Sequence, residues 1–167
     1  MSSLRMLVAS LAIAVAGVPI AAAAIPLAGQ SAPDFTLPNP SGKGKPVTLG
    51  ALRGHPVYVN FFASWCGPCN DEAPSIAQFR ARYAKRGLTV VGVDELEPSS
   101  AGAGFEAKYH APFGLVGVDE SGAVGKEYGA IAMPLHVFIN ARGVVTTYHL
   151  GQMSDAEIDA GIKSSLK

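Results

Sequence analysis

Apolar residues from Pro56 onward come in two kinds of run, solid blocks and spaced series. PVYVNFFAS, Pro56 to Ser64, is dense in β-branched and aromatic residues and predicts a buried central strand over Val57–Phe62. From Cys69 to Arg86 the residues Ala73, Ile76, Ala77, Arg80, Tyr83 and Ala84 recur at helical spacing, with Pro74 as an expected kink and Gly87 as the stop. LTVVGVDE predicts a second buried strand over Leu88–Val93, and the Ser-, Ala- and Gly-rich stretch Pro98–Gly104 reads as a loop before a short helix at Phe105–His110. Leu115–Val118 extends briefly, and GAVGKEYGA suggests another helical turn. Pro134–Asn140 then reads as a strand, Ala141-Arg142-Gly143 as a turn and VVTTYHL as its hairpin partner. SDAEIDAGIKSSL closes the chain as a helix, with Ser154 and Glu157 spaced as a capping box.

Upstream, Asp34–Leu37 and Pro46–Leu49 are short extended runs around a Ser-Gly-Lys-Gly turn. The full order is therefore hairpin, β-α-β-α, hairpin, helix. Strands alternating with helices predict one α/β domain over residues 34–167, with a central mixed sheet flanked by helices and an added N-terminal β-hairpin. Residues 25–33 are expected to be a linker or lead-in.

The N-terminus breaks this texture. Arg5 precedes an apolar run and a small-residue stretch, and no further charge appears until Asp34. That pattern predicts a signal peptide over residues 1–24, with an uncleaved signal anchor as the alternative. The expected location is the periplasm or the extracytoplasmic face of a membrane, with cleavage favoured over anchoring. The composition adds little beyond this: Lys plus Arg (13) equals Asp plus Glu (13), so no basic surplus points to nucleic acid.

The chain has two cysteines, both in FFASWCGPCNDEAP. Two thiols separated by two residues can be a structural disulfide, part of a metal site or a redox couple. A bridge closing so short a loop adds little chain-entropy stabilisation. A structural zinc site needs four ligands, and none of the four histidines (His55, His110, His136, His149) stands at finger-like spacing from Cys69. The position favours the redox reading. CGPC follows a buried strand and opens a helix, where unpaired N–H groups and the helix dipole stabilise a thiolate. Cys66 is expected to be the exposed attacking nucleophile and Cys69 the resolving thiol. Gly67 is expected to permit a tight turn into the helix, Pro68 to occupy its first turn, and Trp65 to flank the thiol as an apolar lid.

WCGPC after VNFFAS resembles the thioredoxin superfamily. CNDEAP, APDFTL, VVGVDE and YGAIAMPLHVFIN are similar to its exported TlpA/ResA-type thiol-disulfide oxidoreductases, related to the AhpC/TSA group, over roughly Ala32–Leu166. APDFTL also occurs in peroxiredoxins, but the proline-and-threonine approach to a peroxidatic cysteine is missing. The resemblance implies a thioredoxin-like fold and a redox-active disulfide, Cys66–Cys69, with no separate cofactor and no bound metal. It implies that Pro134 is a cis-proline beside the cysteines, exposing the Met133 backbone to a substrate strand. Asn60 stands where cytoplasmic thioredoxins have a buried aspartate, and Glu72 matches the family glutamate that tunes the cysteines and handles their protons. Ala132-Met133-Pro134 departs from the more usual Gly-x-Pro.

The expected partners are exported proteins or apocytochrome c thiols as substrates and a membrane thiol-electron carrier as reductant, with a membrane anchor as a further possibility. The alternatives are a metal-binding or assembly-adaptor module on the same scaffold, or a net oxidase or peroxiredoxin-like activity. His136, two residues past Pro134, is expected on a strand surface, with the active-site rim as the alternative; Tyr58, Phe61, Phe79, Phe105 and Phe138 are expected in the core, and Lys43 and Lys45 in a solvated turn. Asp94 and Glu95 are read as following a strand end, with a role in partner recognition as the lesser alternative.

Overall fold

A computed structural model describes residues 25–167, so the expected signal segment lies outside the described residues. Strands β1 (Thr36–Leu37) and β2 (Val47–Thr48) pair antiparallel as the expected hairpin. The main sheet contains β3 (Val57–Phe62), β4 (Thr89–Glu95), β5 (Leu115–Asp119), β6 (Leu135–Ile139) and β7 (Val145–Leu150), in the order β5-β4-β3-β6-β7. β3, β4 and β5 run parallel, while β6 and β7 run antiparallel to their neighbours. The helices are α1 (Gly67–Tyr83), α2 (Ser99–Lys108), α3 (Ala123–Tyr128) and α4 (Asp155–Ser165). This is a thioredoxin-like α/β fold: a central mixed sheet flanked by helices, with an N-terminal β-hairpin.

All six residues of β3 are buried because both sheet faces are covered. Tyr58 and Phe62 face one apolar cluster with Ile76, Phe79, Phe105, Phe113, Phe138, Ile158 and Ile162. Val57, Val59 and Phe61 face the other, with Phe35, Leu37, Val91, Tyr128 and Leu135. Each large side chain buried in this way contributes roughly 1.5–3 kcal/mol. Period-two alternation therefore puts Asn60 on the same face as Tyr58 and Phe62, under α1.

The helical run passes through Pro74 as α1, and Gly87, with φ of 81°, stops the short 3₁₀ turn that follows it. Two expectations change. β4 runs on through Asp94 and Glu95, both buried. The segment read as a loop at 98–104 is instead the first half of α2. Of its two glycines, Gly102 serves close packing rather than flexibility: a Cβ there would collide with the Asp94 side chain. The capping box forms as expected, with Ser154 Oγ accepting from the Glu157 N–H at 3.4 Å and Glu157 Oε2 accepting from the Ser154 N–H at 2.8 Å.

Candidate active site

The chain leaves β3 at Phe62, turns through Ala63–Trp65 and enters α1 with Cys66 as its N-cap. Cys66 and Cys69 are disulfide-bonded, and Cys66 Sγ also accepts the Cys69 N–H at 3.2 Å. No acidic residue stands in the first turn of α1 to offset the positive end of its dipole. Both sulfurs belong to the apolar cluster beneath α1, and Met133 packs against the same cluster.

Cys66 is only 4 % exposed, not the exposed nucleophile expected. The N-cap position turns its sulfur inward over the Cys69 N–H. Trp65 does not form a lid but stands 70 % exposed, forming the rim with exposed Gly67 and Pro68. The turn does not require glycine either. Gly67 is helical without a positive φ, and a Cβ there would meet nothing within 4 Å. The Met133–Pro134 bond is cis, and the Pro134 carbonyl accepts the Gly151 N–H at 2.8 Å.

Beneath the cysteines lies a polar network inside the apolar face. Asn60 is buried, and its amide nitrogen reaches Tyr58 Oη at 3.3 Å and His136 Nδ1 at 3.2 Å. Tyr58 Oη lies 2.7 Å from the same Nδ1. On the far side of the ring, His136 Nε2 lies 3.5 Å from Glu72 Oε2, and Glu72 Oε1 accepts the Met153 N–H at 2.6 Å. Burial raises the Glu72 carboxyl to about 7, the Met153 N–H lowers it, and Asp71 and Asp155 add to the rise. Burial and then His149 lower His136 to about 3, so the imidazole is neutral at physiological pH. Burial, followed by the Glu72 charge, holds the Tyr58 phenol well above its usual range.

The Redoxin family profile matches residues 27–162. The chain belongs to the Redoxin family, as a ResA/DsbE-like thiol-disulfide oxidoreductase of the thioredoxin superfamily. Thiol-disulfide oxidoreductase ResA of Bacillus thuringiensis subsp. konkukian is 28 % identical over 135 residues, covering 81 % of this chain and 76 % of that one. A crystal structure from Chlorobium tepidum, assigned as thiol:disulfide interchange protein DsbE, superposes with a TM-score of 0.78 at 33 % identity, covering 85 % of this chain and 99 % of the other. A secreted Mycobacterium tuberculosis disulfide oxidoreductase, homologous to E. coli DsbE, gives a TM-score of 0.69 at 29 % identity, covering 78 % and 95 %.

In this oxidoreductase the redox element is the cysteine pair itself. Among the described residues no group of three or more His, Cys, Asp or Glu is arranged to hold a metal. The fold brings Cys66, Cys69 and Met133 to one cluster and sets His136 between Asn60, which it hydrogen-bonds, and Glu72, which it approaches at 3.5 Å. Sequence reasoning placed His136 on a strand surface, whereas it is 0 % exposed. A signal was available: Leu135, Val137, Phe138 and Ile139 around it are apolar on both parities, the mark of a strand covered on both faces. Glu97 and Asn70, which tie down the turn before Cys66, were also missed.

Proposed function

We propose that the oxidoreductase works as a reductase of disulfides in exported proteins. The carrying observation is the charge balance around the thiols. Reduced-state thiolates make a pair oxidising when they are strongly stabilised. Here the helix N-terminus favours a thiolate at Cys66, but the group one turn inside Cys69 is a buried carboxyl, and the nearby imidazole is neutral. That balance favours a low potential, and the Gly-Pro between the cysteines is in keeping with it.

In the reaction, Cys66 thiolate attacks a substrate disulfide and expels one substrate thiolate, which takes up a proton. Cys69 gives its proton to Glu72 and attacks Cys66 Sγ. The Cys66–Cys69 bond forms, the bond from Cys66 to the substrate breaks, and two electrons have passed to the substrate. The Met133 backbone, beside Pro134, pairs with the substrate strand, and Trp65, Gly67 and Pro68 form the rim it meets. Asn60 serves by holding the network beneath the site. A membrane thiol-electron carrier restores the dithiol. The leader-like N-terminus and the secreted Mycobacterium relative support an extracytoplasmic location, and the disulfide form of an apocytochrome c is one substrate class that fits there.

Equilibration of the pair with glutathione redox buffers tests the direction. A midpoint nearer the ~−270 mV of thioredoxin than the ~−120 mV of strong oxidants supports a reductase. A midpoint at the oxidising end would reverse the direction of flow.

A further inference from the structure

Antiparallel register makes Asn60 and His136 direct partners across β3 and β6, with Tyr58 opposite Phe138 in the next pair on the same face. The His136 ring is engaged on one side by β3. Its Nδ1 receives the Asn60 amide at 3.2 Å and lies 2.7 Å from Tyr58 Oη. An amide nitrogen only donates, so Nδ1 is the accepting nitrogen and the neutral ring carries its hydrogen on Nε2. Nε2 faces Glu72 Oε2 at 3.5 Å, and neither atom has a hydrogen-bond partner among the described residues. An unpartnered buried donor thus faces an unpartnered buried acceptor, one helical turn from the resolving cysteine. Leaving either without the other would cost the desolvation of a buried polar group.

We propose that His136 is a positioning residue for the exchange reaction, its Nε2–H holding Glu72 as the carboxylate that receives the Cys69 proton. The inference rests on the reading of Glu72 as proton acceptor given above. The ring itself neither gains nor loses a proton. Cys69 Sγ–H passes its proton to Glu72, the new thiolate attacks Cys66 Sγ, and the substrate sulfur leaves with the bonding pair and is protonated by solvent. The groups facing the ring are Tyr58 and Asn60 from β3, His149 from β7, the Gly151 backbone, which favours a proton on the ring, and Glu72 from α1. Around Glu72, Asp71 on its own helix and Asp155 at the start of α4 oppose ionisation, and the Met153 N–H favours it. Without the imidazole N–H, only the Met153 N–H remains to support the carboxylate. Glu72 then keeps its proton to higher pH and Cys69 is activated less at neutrality.

The test follows resolution of a mixed disulfide, formed between Cys66 and a cysteine-containing peptide, as a function of pH. His136→Leu is expected to move the half-maximal rate to higher pH by about one unit, roughly a tenfold loss on the acid limb. His136→Gln, which can present an amide N–H in place of Nε2–H, is expected to recover much of that loss. A folded His136→Leu protein with the wild-type profile would overturn the proposal, and so would a folded His136→Gln protein no better than His136→Leu. Glu72→Gln separates the two readings. If it shifts the profile and His136→Leu does not, the inference about His136 fails alone; if Glu72→Gln has no effect, the reading of Glu72 fails and takes this inference with it. Nitrogen NMR of the unmodified protein needs no variant: an Nε2–H tautomer at His136 supports the proposal, and an Nδ1–H tautomer overturns it.

Discussion

The Glu97 carboxylate accepts both hydrogens that Ser64 offers, the backbone N–H at 2.6 Å and the hydroxyl at 2.8 Å. Ser64 stands two residues before Cys66, so a side chain beyond the end of β4 fixes the turn that delivers Cys66 to its helix. Hydrogen bonds to a charged acceptor contribute about 1.5–3 kcal/mol each. Glu97→Ala is therefore expected to lower stability by about 2 kcal/mol or more in denaturant titration. Ser64→Ala, which keeps the backbone bond, is expected to cost less than Glu97→Ala. Equal costs would show that the hydroxyl carries the whole contact.

Asn70 holds the same turn from the other side. Its amide nitrogen donates to the Ser64 carbonyl at 3.0 Å and the Cys66 carbonyl at 2.6 Å, and its oxygen accepts from Tyr109 Oη at 2.7 Å and Lys108 Nζ at 3.0 Å. One amide thus links the active-site turn to the end of α2. Asn70→Leu is expected to destabilise by about 1–3 kcal/mol and to slow disulfide exchange. Tyr109→Phe, removing one contact, should have the same sign and a smaller size. An unchanged melting curve for Asn70→Leu would contradict the assignment.

Stability should fall as pH rises through neutrality. Burial raises the carboxyls of Glu72 and Glu106 to about 7, and of Asp94 and Glu95 to about 8. Each remains protonated in the folded chain at pH values where the unfolded chain has already ionised. Their stabilising contribution is full below the ordinary carboxylate range and is lost as pH rises to about 8. His136, lowered to about 3, acts in the opposite direction, but only below its unfolded value near 6.5. Above that value only the carboxyls remain in play, so denaturation midpoints should decline steadily from there to about 8. Asp94→Asn should flatten part of the slope. A rise over that window would refute the assignment.

Gly102 should reverse the ordinary helix rule. Replacing glycine by alanine in a helix interior usually gains about 0.8–1 kcal/mol. In α2 the added methyl would collide with the Asp94 carboxylate, a buried group with little room to move. Gly102→Ala is therefore expected to destabilise, while Gly104→Ala, whose Cβ would meet nothing within 4 Å, is expected to be neutral or stabilising. Thermal melts of the two variants make the comparison.

These residues also mark how far the sequence could be read. β3 was legible to the residue because five of its six residues are β-branched or aromatic strand formers, with Asn60 alone among them. The cysteine pair was legible because a buried strand and a helix flank it. α2 was not, since Gly102 is there to pass close to Asp94, and local composition says nothing of a neighbour across the fold. The surface reading of His136 failed for a related reason. Its role comes from the β3–β6 register and from a helix more than sixty positions earlier, where one histidine among apolar residues gives no pairing information. Glu97 and Asn70 act through contacts 33 and 39 residues away, which no local pattern encodes.

The proposed exchange requires that Cys66 attack and Cys69 resolve. It is tested most directly by mass spectrometry of covalent adducts after Cys66→Ser and Cys69→Ser proteins, reduced beforehand, are mixed with a peptide disulfide. The Cys69→Ser protein is expected to accumulate a stable mixed disulfide through Cys66, and the Cys66→Ser protein to accumulate far less. Equal trapping by the two variants, or faster trapping through Cys69, would contradict the assignment of the N-cap sulfur as nucleophile.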